Sequence, residues 1–359
     1  MKYYYHNLLI KYNNTLNTSV LIKNDKQLEK YVEAIKDDTI LGIDTEFRRI
    51  DSYFPELCLI QIASKYQLEC IDVLSISNLK PLFDKLYNGK TLWVIHSARQ
   101  DIEALYYLSN RIPSLLFDTQ IGASFLNYPL QVSYQSLTEK LQNVLLDKKY
   151  TRFDWRIRPL PNDVLQYALD DVKYLLPNYN NLTKELKSRG KLDWAKEEVE
   201  LLLNKDTYEP NLRQIIKKTK GISKISSKNK ENAIKLVLWR ESIAQNKNKP
   251  RKWIISDEKL ISYANGNNKL PSSSLNEYKN FLKTNKKEFN FDDLIKVQKP
   301  FSDQEVLIKN KLKEQINALS LEYNIPSELI CTSKNLTNFI RGKNLVTINK
   351  GWRSKIFKL

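Results

Sequence analysis

Strand-like apolar runs crowd the first third of this chain and disappear after Asn204, so a fold for it must build a sheet early and the remainder from helices. ILGIDTEF (40–47), LCLIQIA (57–63) and LECIDV (68–73) are short runs whose connections suit a meander. Next come a helical stretch from about Asn78 to Tyr87, the run TLWVIH ending at His96, and a helix from about Arg99 to Leu108. LLFD ends at Asp118, and helical patterns continue through Phe125 and Leu137–Leu141. Hairpins first and strand–helix alternation afterwards predict an α/β domain, a mixed sheet covered by helices. A long helical pattern runs from Asn162 toward Arg189, with Pro177 as its expected kink, and another spans Trp194–Leu203. KDTYEPN (205–211) reads as a linker. NGNNKLPSSS (265–274) and KPFSD (299–303) interrupt a helical remainder, which predicts two small all-α modules. The expected domains are 1–204, 205–288 and 289–359.

Charge divides at the same place. Residues 1–200 hold 26 Lys+Arg and 26 Asp+Glu, whereas 201–359 hold 32 and 15, so the whole formal charge of +17 lies in the helical part. Between Pro210 and Lys230 there is no acid, while Arg213, Lys217, Lys218, Lys220, Lys224, Lys228 and Lys230 supply cations. Such a block favours a polyanion, RNA or DNA, although a solvated lysine-rich face would read the same way one lysine at a time.

Several function classes are excluded. Cys58, Cys70 and Cys331 are scattered, with no Cys-x-x-Cys, which argues against a disulfide scaffold or thiolate zinc site and for a reducing cytoplasm. Two histidines, His6 and His96, cannot make a zincin helix, and no Gly-x-Ser-x-Gly or Gly-x-Gly-x-x-Gly occurs. Gly89-Lys90-Thr91 imitates the end of a P-loop, but that pattern's first glycine falls on Asp84, so no nucleotide cofactor is expected. No apolar run reaches the ~18 residues of a membrane span, and MKYYYHNLLIKYNNT lacks the features of a secretory signal.

The acids carry the chemical information. Asp44 and Glu46, two apart in a strand, leave the same face of the sheet. Asp101 follows the apolar run Leu92–Ile95 near a helix start. Tyr167 and Asp171 lie i and i+4 on one helix face. Singly, each also fits a structural reading: a solvent-facing strand edge, a partner of the helix dipole, a core tyrosine. Jointly they describe four acids from different elements and one phenol. Four carboxylates converging on a mixed sheet are what two hard divalent cations, Mg²⁺ or Mn²⁺, require. Such a pair clamps the attacking and leaving oxygens of an in-line phosphoryl displacement, and a nearby phenol can orient the water.

IDTEF (43–47), HSARQD (96–101) and YALDD (167–171) resemble the three exonuclease motifs of the DEDD superfamily, and Tyr-x-x-x-Asp in the third marks its tyrosine subclass. FPELCLIQIA (54–63), FDTQ (117–120) and DWRIRPL (154–160) narrow the resemblance to the ribonuclease D family. LWRESIA (238–244) and KPRKWIISDEKL (249–260) resemble a helicase-and-ribonuclease-D C-terminal (HRDC) domain; IPSELICTSKNL (325–336) with GWRSKIF (351–357) resembles a second copy.

The resemblance implies a ribonuclease H-like exonuclease domain followed by two HRDC-like domains. It further implies that Asp44, Glu46, Asp101 and Asp171 bind metal and that Tyr167 positions or activates the water; Asp170 is not the motif acid. The implied reaction is 3′-to-5′ hydrolysis of terminal phosphodiesters, releasing nucleoside 5′-monophosphates from precursor tRNA 3′ ends and other small structured RNAs. Asn127 and Asn143 replace expected glycines, and Asn is the other residue that tolerates positive φ. His96 closes a strand and is not counted as catalytic. With a neutral exonuclease part, the C-terminal modules are expected to supply RNA affinity, notably through Arg213, Lys217, Lys218, Lys220 and Lys224. Truncation after Asn204 should then raise KM and flatten salt dependence more than it lowers kcat. The rival readings are a DNA exonuclease of the same fold and an inactive RNA-binding adaptor.

Overall fold

The computed structural model describes residues 17–147, 149–285, 300–342, 348 and 350–357. The leading MKYYYHNLLIKYNNT and the boundary expected between 288 and 289 lie outside them. Six strands, β1 (Asn17–Ile22), β2 (Ile40–Arg48), β3 (Glu56–Ala63), β4 (Gln67–Asp72), β5 (Leu92–Ile95) and β6 (Leu115–Asp118), form one sheet in the order β1-β4-β3-β2-β5-β6. β3 and β4 are antiparallel, while β1/β4, β2/β5 and β5/β6 are parallel, so the sheet is mixed as the patterning predicts.

Among the described residues, eight helices accompany the sheet: α1 (Asp25–Ala34), α2 (Lys80–Leu86), α3 (Arg99–Ser109), α4 (Thr119–Ser124), α5 (Tyr134–Gln142), α6 (Asn162–Lys173), α7 (Leu175–Ser188) and α8 (Leu192–Val199). The pattern from Asn162 to Arg189 is therefore two helices, broken at Tyr174. Pro177 has no N–H, and its ring excludes the carbonyl four residues earlier, at Lys173. The Tyr174 N–H instead donates to the Tyr134 hydroxyl at 3.0 Å. Asn127 and Asn143 take φ of 65° and 58°, the left-handed turns for which asparagine was the acceptable substitute. Gly42 is closely packed: a Cβ there would meet the Leu175 Cβ at 3.1 Å and the Ala63 Cβ at 3.3 Å.

The chain forms two compact units. One is Arg49–Glu56 with Tyr208–Pro300; the other holds the chain up to Arg48, Leu57–Thr207 and the residues from Phe301 onward. The former contains α9 (Leu212–Lys218), α10 (Ser227–Asn246), α11 (Arg251–Ile254), α12 (Asp257–Ala264) and α13 (Ser272–Thr284) around Trp239. Its helices also hold the segment that follows β2. The Tyr53 hydroxyl donates to buried Glu241, which pairs with Arg251 at 2.6 Å, and the Tyr53 and Phe54 N–H groups both donate to Asn248 Oδ1 at 3.0 Å.

In the other unit, α14 (Asp303–Tyr323), α15 (Ser327–Ile330), α16 (Ser333–Ile340) and α17 (Gly351–Ile356) close one core with the α/β domain. α14 begins with a capping box, Ser302 and Glu305. Trp352 stacks on Trp194 with ring centroids 5.0 Å apart and meets Phe125 edge-on at 5.3 Å. Its backbone N–H donates to the Glu197 carboxylate, and the Lys191 ammonium donates to the Phe125 and Tyr323 carbonyls. Among the described residues, no helix is long and apolar enough to cross a membrane.

Candidate active site

Strand alternation puts Asp44 and Glu46 on one face of β2, and Asp171 reaches them from α6. Carboxylate oxygens of these three residues lie within 4.8 Å of one another. Asp101 enters from the first turn of α3, buried, and accepts the Thr45 hydroxyl at 2.6 Å. The approach to α3 is fixed by Asp118 at the end of β6. Its carboxylate accepts the Ser97 and Ala98 N–H groups at 3.0 and 2.8 Å and caps α4 through Gln120 and Ile121. Ser97 takes a φ of 61°, so the chain turns sharply between β5 and α3. His96 donates from Nε2 to the Val132 carbonyl and accepts from the Thr119 hydroxyl, both at 2.9 Å. Burial holds its pKa below the usual value, and it serves as a structural link.

These placements set the electrostatics. Burial, then the charges of Asp101, Asp171 and Glu46, push Asp44 well above the ordinary carboxylate range. Burial followed by Asp171 and Asp101 does the same to Glu46. Asp101 is raised by burial to about 7 against the Thr45 hydrogen bond, and Asp171 to about 7 against one from Tyr167. Tyr167 is pushed up to about 12 by burial and by Asp171, so it is a neutral phenol at physiological pH. Asp170 stays apart from the group and accepts from Gln166 at 3.0 Å. The charged side chains acting on Asp44 are three other carboxylates, a donor set that fits a hard divalent cation and is destabilised without one.

A second layer fixes Tyr167. Tyr150 meets its ring edge-on at 5.9 Å, and Trp155 lies 6.4 Å away, inclined by 32°. The Tyr150 hydroxyl is tied to Asp163. Trp155 is held by the neighbouring Arg158, whose guanidinium grips the Asp72 carboxylate with two bonds of 2.7 and 2.6 Å and also donates to the Trp155 carbonyl. Thr45, Asp118 and this Arg158 clasp escaped the sequence reading, although IDTEF, FDTQ and DWRIRPL contain them. Their partners are remote in sequence, and no local periodicity reveals them. Arg213, Lys217, Lys218, Lys220 and Lys224 lie in the other unit, on α9 and the turns after it, exposed beside buried Ile215, Ile216 and Ile222.

Comparison with known proteins agrees with this geometry. Residues 19–187 match the family described as 3′–5′ exonuclease. Ribonuclease D of Bartonella henselae is 34% identical over 94% of this chain and 87% of its own length. Ribonuclease D of Nitrobacter hamburgensis is also 34% identical, over 66% of this chain and 62% of that protein. Among solved structures, Escherichia coli RNase D, titled an exoribonuclease involved in structured RNA processing, superposes with a TM-score of 0.80 at 24% identity, covering 94% of this chain and 96% of that one. The catalytic core of RRP6 from Trypanosoma brucei gives 0.56 at 26% identity over 75% and 76% of the two chains. A shared exonuclease fold and one-third identity along nearly the whole length carry the conclusion that the chain belongs to the ribonuclease D family of 3′–5′ exoribonucleases.

Proposed function

We propose that Asp44, Glu46, Asp101 and Asp171 hold two divalent cations, Mg²⁺ or Mn²⁺, and that this site trims RNA from its 3′ end to nucleoside 5′-monophosphates. The natural substrates we propose are the 3′ trailers of precursor tRNA and other small structured RNAs, in a reducing cytoplasm suited to Cys58 and Cys70, which form no disulfide. The observation that carries this reading is the gathering of the half-buried Asp44, Glu46 and Asp171 carboxylates from β2 and α6 within 4.8 Å, with the charge of buried Asp101 from α3 also bearing on Asp44. Bound cations would neutralise that repulsion and stabilise both the attacking and the leaving oxygen.

The chain's own residues do the rest. Tyr167, protonated and braced by Tyr150 and Trp155, directs its hydroxyl toward Asp171 and orients a water for in-line attack. Thr45 keeps the Asp101 carboxylate from rotating. Arg213, Lys217, Lys218, Lys220 and Lys224, in the first of two HRDC-like domains (205–288 and 289–359), bind the RNA body through its phosphates.

The test is release of mononucleotides from 3′-labelled and 5′-labelled RNA, beside matched DNA, with Mg²⁺ or Mn²⁺. Immediate loss of the 3′ label and stepwise shortening of the 5′-labelled strand are expected, with Asp171→Asn slower by roughly 10³-fold. RNA that is bound and never shortened under either metal would overturn the reading. A precursor tRNA trailer trimmed no faster than an unrelated single strand would overturn the substrate assignment.

A further inference from the structure

Gln61 is 0% exposed, yet neither Oε1 nor Nε2 of its carboxamide has a hydrogen-bond partner among the described residues. Its neighbours in LCLIQIA are apolar, and another Ile or Leu would bury there without leaving polar atoms unsatisfied. Strand geometry locates the amide. β2 and β3 are adjacent in the sheet and joined only by residues 49–55, too short for a parallel crossover, so they run antiparallel. A Cβ built on Gly42 falls 3.3 Å from the Ala63 Cβ, which sets those two residues opposite each other. Two steps along each strand in opposing directions reach Asp44 and Gln61. Gln61 therefore stands across from Asp44 on the face that carries the acids. The next strand agrees: Gln61 pairs with Cys70 of β4, and after burial and Glu69, the Glu46 charge also bears on the Cys70 thiol.

We propose that Gln61 is a positioning residue of the acid cluster, its Nε2–H donating to the Asp44 carboxylate and holding it in the orientation that ligates a divalent cation. This rests on the metal reading above. A neutral amide suits the position for a physical reason. A lysine or arginine would compete with the cation for the carboxylate, whereas an isoleucine would leave the carboxylate free to turn. The amide steadies the ionised acid without adding charge to a crowded group of anions.

The experiment is Mn²⁺ binding to the full-length protein by isothermal titration calorimetry, with melting temperatures in chelator as the folding control. Asp44→Asn should lose most Mn²⁺ affinity, which tests the metal reading itself. Gln61→Met should bind Mn²⁺ about 10- to 100-fold more weakly, while melting in chelator at or above the wild-type temperature because an orphaned amide is gone. In the double variant the two losses should fall well short of additive, since both act on one carboxylate. Gln61→Leu serves as the second variant if Gln61→Met melts early. Unchanged Mn²⁺ affinity in the Gln61 variants beside a weakened Asp44→Asn overturns this proposal and leaves the metal reading intact. Unchanged affinity in all of them overturns the metal reading, and additive losses remove Gln61 from the Asp44 contact.

Discussion

Arg240 and Arg353 are both buried arginines of helical modules, and they find their anions in different places. Arg240 pairs with Asp257 at 2.6 Å and donates to the Ile255 carbonyl, all within the module at 212–284. Arg353 reaches outside its own helices to Glu198 near the end of α8, at 2.8 Å. The apolar cores follow suit. Trp239 packs among residues of its own module, whereas Trp352, Leu312 and Leu336 share a cluster with Phe117, Phe125 and Ala195 of the α/β domain. The first module is completed from within; the second is a wall of the nuclease domain. Truncation after Asn204 would therefore remove both an RNA-binding candidate and part of the catalytic unit's core, and single substitutions separate the two better.

The strongest way to break the comparison is to hollow each module in turn. Trp352→Ala should cost about 3–5 kcal/mol and raise amide hydrogen exchange in α4 and α8 as well as in α14–α17. Trp239→Ala, at similar cost, should loosen 212–284 and the Tyr53 segment while leaving α4 and α8 protected. Equal spread from both would erase the distinction. Next in size is binding. Neutralising Lys217, Lys218, Lys220 and Lys224 to Gln should raise KM for RNA about 10-fold and flatten the salt slope by roughly 3, near 0.7 per cation on a single strand, with kcat unchanged. Neutralising Lys311 and Lys313 on α14 should do much less.

Acidity should separate the units more gently. Asp101 and Asp171 stand at about 7 in the fold against an ordinary carboxylate value near 4. Between those values the folded chain holds protons that the unfolded chain has released, so the stability they confer is present below about 4 and lost as pH rises through about 7. Asp44 and Glu46 act in the same direction, and His96, kept neutral by burial, opposes them below about 6.5. Asp257 behaves in reverse: burial works against its charge, but Arg240 holds the carboxyl below the usual range, so its contribution fades only as pH falls beneath that range. In chelator, the transition that responds to Mn²⁺ should therefore fall in temperature between pH 5 and 7.5, and Mn²⁺ should abolish the drop; a flat profile would contradict it. Smallest are the caps. Ser302→Ala and Ser256→Ala should each cost about 1 kcal/mol, the first seen in exchange at α14, the second at α12.

Much of the site was legible because its chemistry is written locally. Asp-x-Glu on a strand and Tyr-x-x-x-Asp on a helix are periodicity statements, and periodicity is what strands and helices enforce. β1 was missed because NTSVLI opens with Asn, Thr and Ser and offers only half a strand of apolar pattern. The break at Tyr174 and the Asp118 and Arg158 clasps were missed for another reason, since each depends on a group far away in the chain. The docking of the second module escaped the sequence for the same reason, because its contacts are with Trp194, Glu197 and Glu198, more than 100 residues away in the chain.

The placement of Trp352 also orders events during synthesis. Phe125 is made early, but the ring that covers its edge is encoded 227 residues later. At about 5–20 residues per second, a growing chain waits roughly 11–45 s between the two. The segment around Tyr53 waits likewise for Glu241 and Asn248. The nascent α/β domain thus leaves the ribosome with one wall of its core unfinished, and that core is sealed only once the helix carrying Trp352 has been made.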